Sequence, residues 1–269
     1  MSNIFEVTTQ YCIDKRNQVF EDYTKGKRKW SQESLDKWEL GFFPNKDLLS
    51  LKVRVKSAGM TIEDLTSVYI MKENQGQSDW SAFFNRIIFP VCDFKGKHIA
   101  ITGRVLDKKI KPKYFNTEFE KAKTLYGLNF AIPAIREQDI VYVFEGNADV
   151  ITAHQHGVEN SVCVMGTAMT DDHLILLSRY TKNIVLLFDN DTGGLKALNT
   201  FNKKNLDEKR KSTNIYRCSF KHFTDKYYKD TDDFITDLGK QDFVDFVNRC
   251  VQDRNIQKTL KEFEIKQGR

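Results

Sequence analysis

Three groups of carboxylates stand where the chain could do chemistry. Glu145 closes the apolar run DIVYVFE, and Asp149 follows it within EGNAD. Asp189 and Asp191 flank a single Asn in FDND, directly after the apolar run NIVLL. Asp230, Asp232 and Asp233 crowd KDTDD, just ahead of FITDLG. Carboxylates held this close repel unless a cation sits between them. Their hard oxygens suit Mg²⁺ or Mn²⁺ and not zinc. Two such ions can clamp a phosphate between an attacking and a leaving oxygen. Taken singly, each acid reads as well as a helix cap or a turn residue. Three clusters at corresponding places in one sheet favour a site.

The elements that must position them follow from the hydrophobic pattern. From Asp139 onward, DIVYVFE, NSVCVMG and NIVLLFD read as strands. NADVITAHQHG, closed by Gly157, and TDDHLILLSRY, capped by Thr170, read as helices, as does TGGLKALNTFNKKN. Strand alternating with helix predicts βαβ units and a mostly parallel sheet, with runs apolar on both faces. In such sheets ligands bind outside the carboxyl ends of the strands, where Glu145 and Asp189 fall. Upstream, Ser31 should cap a helix over SQESLDKWEL that ends at Phe42–Pro44. A second helix is expected over residues 46–58, closed by Gly59. RIIFPVCDFKGKHIAITGRVL reads as two strands around a turn at Asp93–Lys97, and the residues around Pro112 read as a loop. Residues 1–21 carry no clear pattern. Phe83, Phe84 and Trp80 read as core more readily than as a base-stacking platform, and His154 and His156 as surface or packing residues.

Composition narrows the class. The 269 residues are 40% hydrophobic and 29% charged, which is globular, and no run is long enough to span a membrane. The N-terminal stretch lacks an apolar signal core, so a cytoplasmic protein is expected. Five cysteines without a CxxC pair make a disulfide framework or zinc knuckle improbable, and Cys163 reads as a buried small hydrophobe. Net charge is +5, and basic residues are dense between Lys95 and Lys123. A basic segment beside clustered carboxylates suits a nucleotide polymerase, although a solvated basic face reads equally well on charge alone.

VFEGNADV, VMGTAMTDDHLILL and VLLFDNDTGGLKA together resemble a TOPRIM domain, the metal-binding α/β module of primases, topoisomerases and some nucleases. NRIIFPVCDFKGKHIAITGRVL, KPKYFNT, KTLYGLNFA, YTKGKRKWSQESLDKWELGFFP and KDTDDFI resemble the DnaG-type primase core, over roughly residues 22–239. The resemblance implies metal binding by Glu145, Asp189, Asp191, Asp230 and Asp232, with Glu145, Asp149, Asp189 and Asp191 catalytic. It implies contacts to nucleotide or nucleic acid from Arg28, Arg104, Lys113 and Lys121, with Arg86, Tyr114 and Asn116 in matching motifs. Asn147 and Ala148 stand where the family often has Tyr-Met, Asn190 replaces a Gly and Thr231 a Pro; no carboxylate is lost.

The expected fold is α/β: a mixed α+β lobe over residues 1–138, a Rossmann-like TOPRIM lobe over 139–240 and a helical tail over 241–269. The implied activity is synthesis of short RNA primers from ribonucleoside triphosphates on single-stranded DNA, with Mg²⁺ or Mn²⁺. Implied partners are a replicative helicase and a separate zinc-binding domain or chain, since no zinc ligand set precedes Tyr23 and the tail is short for a helicase-binding bundle. An excised core, a split subunit or a compact phage-type enzyme would each fit. The rival readings are a TOPRIM-type metal-dependent nuclease and a non-catalytic DNA- or helicase-binding module.

Overall fold

The computed structural model describes residues 3–74, 78–166, 169–188, 213–218, 228 and 230–252. The helix expected over TGGLKALNTFNKKN lies outside them. The chain divides into two compact units, residues 1–119 and 120–269.

The first unit is built on an antiparallel sheet in the order β1–β2–β3–β4, from β1 (Gly41–Phe43), β2 (Arg86–Cys92), β3 (His98–Val105) and β4 (Tyr114–Asn116). β2 and β3 are the expected pair around a turn. Asp93 Oδ1 accepts from the backbone N–H of Lys95 and Lys97 at 2.8 and 3.0 Å, and Gly96 takes φ +85°. Pro90 lies past the end of β1, where β2 has one neighbouring strand, so its missing N–H leaves no ladder bond unmade. β1 and β4 form where the sequence reads as a helix end and a loop, because three residues are too few to display alternation.

Helix α1 (Ile4–Asp14) covers this sheet from a stretch without visible pattern. Asn3 caps it through the N–H groups of Phe5 and Glu6, and the Glu6 carboxylate accepts from Asn3 N–H at 3.0 Å. Gly41 permits the close approach: a Cβ there would sit 2.6 Å from the carbonyl carbon of Cys12. The short α2 (Gln18–Glu21) runs into a π-helical turn, Asp22–Lys27. Ser31 then caps α3 (Gln32–Lys37), accepting from Ser34 N–H at 3.1 Å. α4 (Leu48–Ser57) ends as expected, with Gly59 at φ +75° and Met60 N–H bonded to Val55 O at 3.1 Å. α5 (Ile62–Ser67) completes the layer. Tyr11, Phe43, Leu51, Val55, Leu65, Phe83, Ile88 and Ile101 form the core. Phe83 is thus core as expected, whereas Trp80 is 53% exposed.

The second unit holds a fully parallel sheet in the order β6–β5–β7–β8, from β5 (Val141–Phe144), β6 (Ser161–Cys163), β7 (Asn183–Leu187) and β8 (Asn214–Arg217). Among the described residues its helices are α6 (Leu128–Gln138), α7 (Asn147–Gln155), α8 (Asp171–Leu177) and α9 (Thr231–Gln252). Alternation along β5 explains its unbroken apolar run. Val141 and Val143 pack with Leu128, Ala131 and Ile135 of α6 and with Leu174 and Leu177 of α8. Tyr142 and Phe144 meet Phe243 of α9, at ring separations of 5.3 and 6.2 Å. Because α6 belongs to this core, the division between units falls ahead of the composition change at Asp139. α9 is broken at Gly239 (φ +82°), and its second half buries Phe243, Phe246, Val247 and Cys250 at helical spacing. The stretch just after 240 is therefore a core helix up to Gln252, with residues 253–269 outside the described set.

Candidate active site

The carboxyl edge of the parallel sheet gathers the acids of the second unit. Phe144 pairs with Cys163 on one side and Leu187 on the other, so Glu145 leaves the sheet beside the ends of β6 and β7. Its carbonyl accepts from Gly166 N–H at 3.0 Å, which fixes the turn into α7. Asp149 lies in the first turn of α7 and is buried. Asp149 Oδ1 accepts from the backbone N–H of Asp232 at 3.1 Å, tying α7 to the start of α9. Asp232 is also buried, and its Oδ1 accepts from the Thr152 hydroxyl. Asp230 caps α9, accepting from Asp233 N–H at 3.0 Å. A helix N-terminus favours negative charge, so this end of α9 can carry three acids at modest cost.

Carboxylate oxygens of Asp230, Asp232 and Asp233 all lie within 4.8 Å of one another. Such a donor set contains oxygen only and fits a hard divalent cation. Cys163 is the nearby soft atom. Burial pushes its thiol well up, and the charges of Asp149 and Glu145 push it further, so it stays protonated beside them. Asp189 and Asp191 lie outside the described residues; Phe188, just ahead of them, is buried after the end of β7.

The first unit brings the basic residues together around two tyrosines. Arg104 on β3 faces Tyr114 on β4. Its guanidinium carbon lies 5.1 Å from the ring centre of Tyr23 and 5.4 Å from that of Tyr114, and Nη1 donates to the Tyr114 hydroxyl at 2.7 Å. Arg28 stacks on Tyr23 at 5.6 Å and donates from Nε to its hydroxyl at 3.1 Å. Lys113 Nζ lies 5.6 Å from the Tyr114 ring. Aromatic faces thus help to hold three cations in place. Burial raises the Tyr114 hydroxyl to about 12, against the lowering effect of Arg104, so it stays protonated. Asn116 Oδ1 accepts from the Thr102 hydroxyl at 2.7 Å. Tyr23, Lys27, Arg104, Lys108, Lys111 and Lys113 line part of a cleft of about 610 Å³.

Arg86 is the exception among these residues. It is 4% exposed and committed to the backbone. Nε donates to Ala82 O at 2.7 Å, and Nη1 reaches Gly103 O, Pro112 O and Lys113 O at 3.1–3.2 Å. Burial lowers its pKa. Arg86 is the bracket that holds the segment leading to Lys113 and Tyr114. Lys121 sits in a 3₁₀ turn, Lys121–Lys123, of the second unit, and burial lowers its pKa. The Lys121 carbonyl accepts from Nε2 of buried His173 at 2.8 Å, while His173 Nδ1 accepts from Thr170 N–H at 3.3 Å, which fixes a neutral tautomer.

Comparison with known proteins places the chain in a family. Residues 8–132 match the N-terminal domain of the DNA primase catalytic core, and residues 142–235 match a Toprim-like domain. The chain belongs to the DnaG-type primase catalytic-core family. A DNA primase of Clostridium acetobutylicum is 35% identical over 243 residues, covering 88% of this chain and 39% of the relative. The chain therefore spans well under half the length of that curated relative. A primase domain from Pseudomonas aeruginosa superposes with a TM-score of 0.76 at 26% identity, over 92% of this chain and 78% of that one. The zinc-binding and RNA polymerase domains of the Aquifex aeolicus primase give 0.79 at 24% identity, over 91% and 60%. Within this primase core, Arg28, Arg104, Lys113, Tyr114, Asn116 and Lys121 fall inside the first matched span, and the carboxylates inside the second.

Sequence reasoning passed over three residues of the site. Tyr23 carries both arginines, and its signal was the lone aromatic ahead of the basic run TKGKRK. Asp233 was visible in KDTDD but left out of the ligand set. Thr152 gave no signal, because its partner is 80 residues away in sequence.

Proposed function

We propose that this chain is the catalytic core of a primase, which joins ribonucleoside triphosphates into short RNA primers on single-stranded DNA during replication. The observation that carries the reading is the joint match to the primase core and Toprim-like models, with acids gathered at the carboxyl edge of the parallel sheet. Nucleotidyl transfer asks little covalent help of a protein. It needs in-line placement and neutralised phosphate charge. Glu145, Asp189, Asp191, Asp230 and Asp232 would hold Mg²⁺ or Mn²⁺, with Asp233 available to the same cluster. When bound, two such ions neutralise the phosphates and stabilise the attacking and leaving oxygens.

The chain's own residues do the rest. Asp149 fixes the backbone of Asp232. Arg104 and Lys113, held on their tyrosines, would take triphosphate oxygens or the growing strand: arginine through its planar fork, lysine as a point charge. Lys121 would assist them, and Asn116 would line the same path. Arg28, stacked on Tyr23, would hold the template backbone without reading its sequence. In the cell this core would work in the cytoplasm with a replicative helicase and a zinc-binding domain or chain.

The test is incubation of the purified chain with single-stranded DNA, labelled ribonucleotides and Mg²⁺ or Mn²⁺, beside the double variant Asp189→Ala/Asp191→Ala. Short labelled RNA from the unsubstituted chain alone supports the reading. Metal-dependent cutting of the DNA without RNA overturns it in favour of a nuclease. DNA binding with neither product, unchanged in the variant, overturns it in favour of a binding module.

A further inference from the structure

We infer that Thr152 is a positioning residue for the metal site, acting through Asp232. The inference rests on the reading of Asp232 as a metal ligand given above.

Asp232 is gripped twice by one face of α7. Asp149 Oδ1 takes its backbone N–H at 3.1 Å, and the Thr152 hydroxyl donates to its Oδ1. Asp149 and Thr152 are three residues apart in a helix and therefore neighbours on its surface. Main chain and side chain of Asp232 are thus fixed from a single rigid element. All three residues are buried, with Thr152 only 1% exposed. A helical threonine commonly returns its hydroxyl to the carbonyl one turn back. Thr8 and Thr24 of this chain do so, donating to Ile4 O at 2.7 Å and Phe20 O at 2.8 Å. Thr152 sends its single proton across to α9. That bond fixes which way the carboxylate faces, and with it the spacing of the oxygens shared with Asp230 and Asp233. A ligand free to rotate pays that rotation when the ion binds, which is why outer partners of metal ligands govern affinity.

The experiment is Mn²⁺ binding to the whole chain by calorimetry, for the unsubstituted protein, Thr152→Val, Thr152→Ser and Asp232→Asn. The thermal midpoint of each is measured in chelator. Valine keeps the shape of threonine and removes only the hydroxyl; serine keeps the hydroxyl. The expected result is about 10-fold weaker Mn²⁺ binding in Thr152→Val, recovery in Thr152→Ser, and a larger loss in Asp232→Asn. Should Thr152→Val fail to fold, Thr152→Cys, a weak donor of similar size, is read in the same way. Unchanged Mn²⁺ affinity in Thr152→Val, with Asp232→Asn impaired, overturns the positioning role and leaves the metal site standing. A lower thermal midpoint with unchanged affinity does the same, since it leaves the bond a role in folding only. Unchanged affinity in Asp232→Asn, or no Mn²⁺ binding at all, overturns the ligand reading and the inference together.

Discussion

Replacing Arg86 by methionine separates holding the fold from touching nucleic acid. The side chain makes four hydrogen bonds to backbone carbonyls from a charged donor. Nη1 has two N–H groups for its three carbonyls, so three donors at roughly 1.5–3 kcal/mol each gross about 4.5–9 kcal/mol. Keeping a guanidinium out of water returns several kcal/mol of that. Arg86→Met should therefore lower stability by about 2–5 kcal/mol, read as a fall in the urea midpoint. Single-stranded DNA binding, measured by anisotropy on the folded fraction, should keep its salt dependence, because no phosphate contact is lost. Arg104→Ala should do the reverse in binding, with a smaller fall in urea midpoint than Arg86→Met and a shallower salt slope, smaller by about 1 on the log–log plot. If Arg86→Met unfolds at the original urea concentration and loses salt slope, the assignment of Arg86 as a backbone bracket is wrong.

Other perturbations read the two units separately. Gly41→Ala places a methyl 2.6 Å from the Cys12 backbone, where nothing flexible can yield, so about 1–3 kcal/mol should be lost from the first unit in chemical denaturation; an unchanged midpoint would mean that α1 does not press on β1 this closely. Burial lowers the His173 pKa below its ordinary value near 6.5. The unfolded chain then takes up the proton first, so this contribution is full above about pH 6.5 and is lost as pH falls toward the folded pKa. His173→Gln should flatten the fall in thermal midpoint between about pH 6.5 and 5, and an equally steep fall would refute the role of His173 in it.

The parallel sheet was legible because its strands announce themselves. Val141–Phe144 and Asn183–Leu187 are continuous apolar runs, and both faces of the sheet are covered. Caps at Ser31 and Thr170 and the glycine stops at Gly59 and Gly157 were readable from single residues, since each obeys a local rule. β1, β4 and β8 were not, being three or four residues long and made by pairing with strands distant in sequence. α1 escaped notice because its cap is Asn3 at the start of the chain and its burial depends on Gly41 far downstream. The acids at the sheet edge could be listed from sequence, but the bonds that orient Asp149 and Asp232 could not, because they join α7 to α9. The backbone bonds of Arg86 were hidden for the same reason: a motif identifies a residue, and only the fold says whether its charge faces solvent or backbone.

The central claim is that carboxylates at this sheet edge serve metal-dependent RNA synthesis. Its most direct test uses Asp149→Ala, which removes the acceptor that orients Asp232. With single-stranded DNA, labelled ribonucleotides and Mn²⁺, the unsubstituted chain should make short, alkali-labile product, and Asp149→Ala, compared where both proteins are folded, should make at least about 10-fold less. Equal product from the two, or product that survives alkali, would contradict the account.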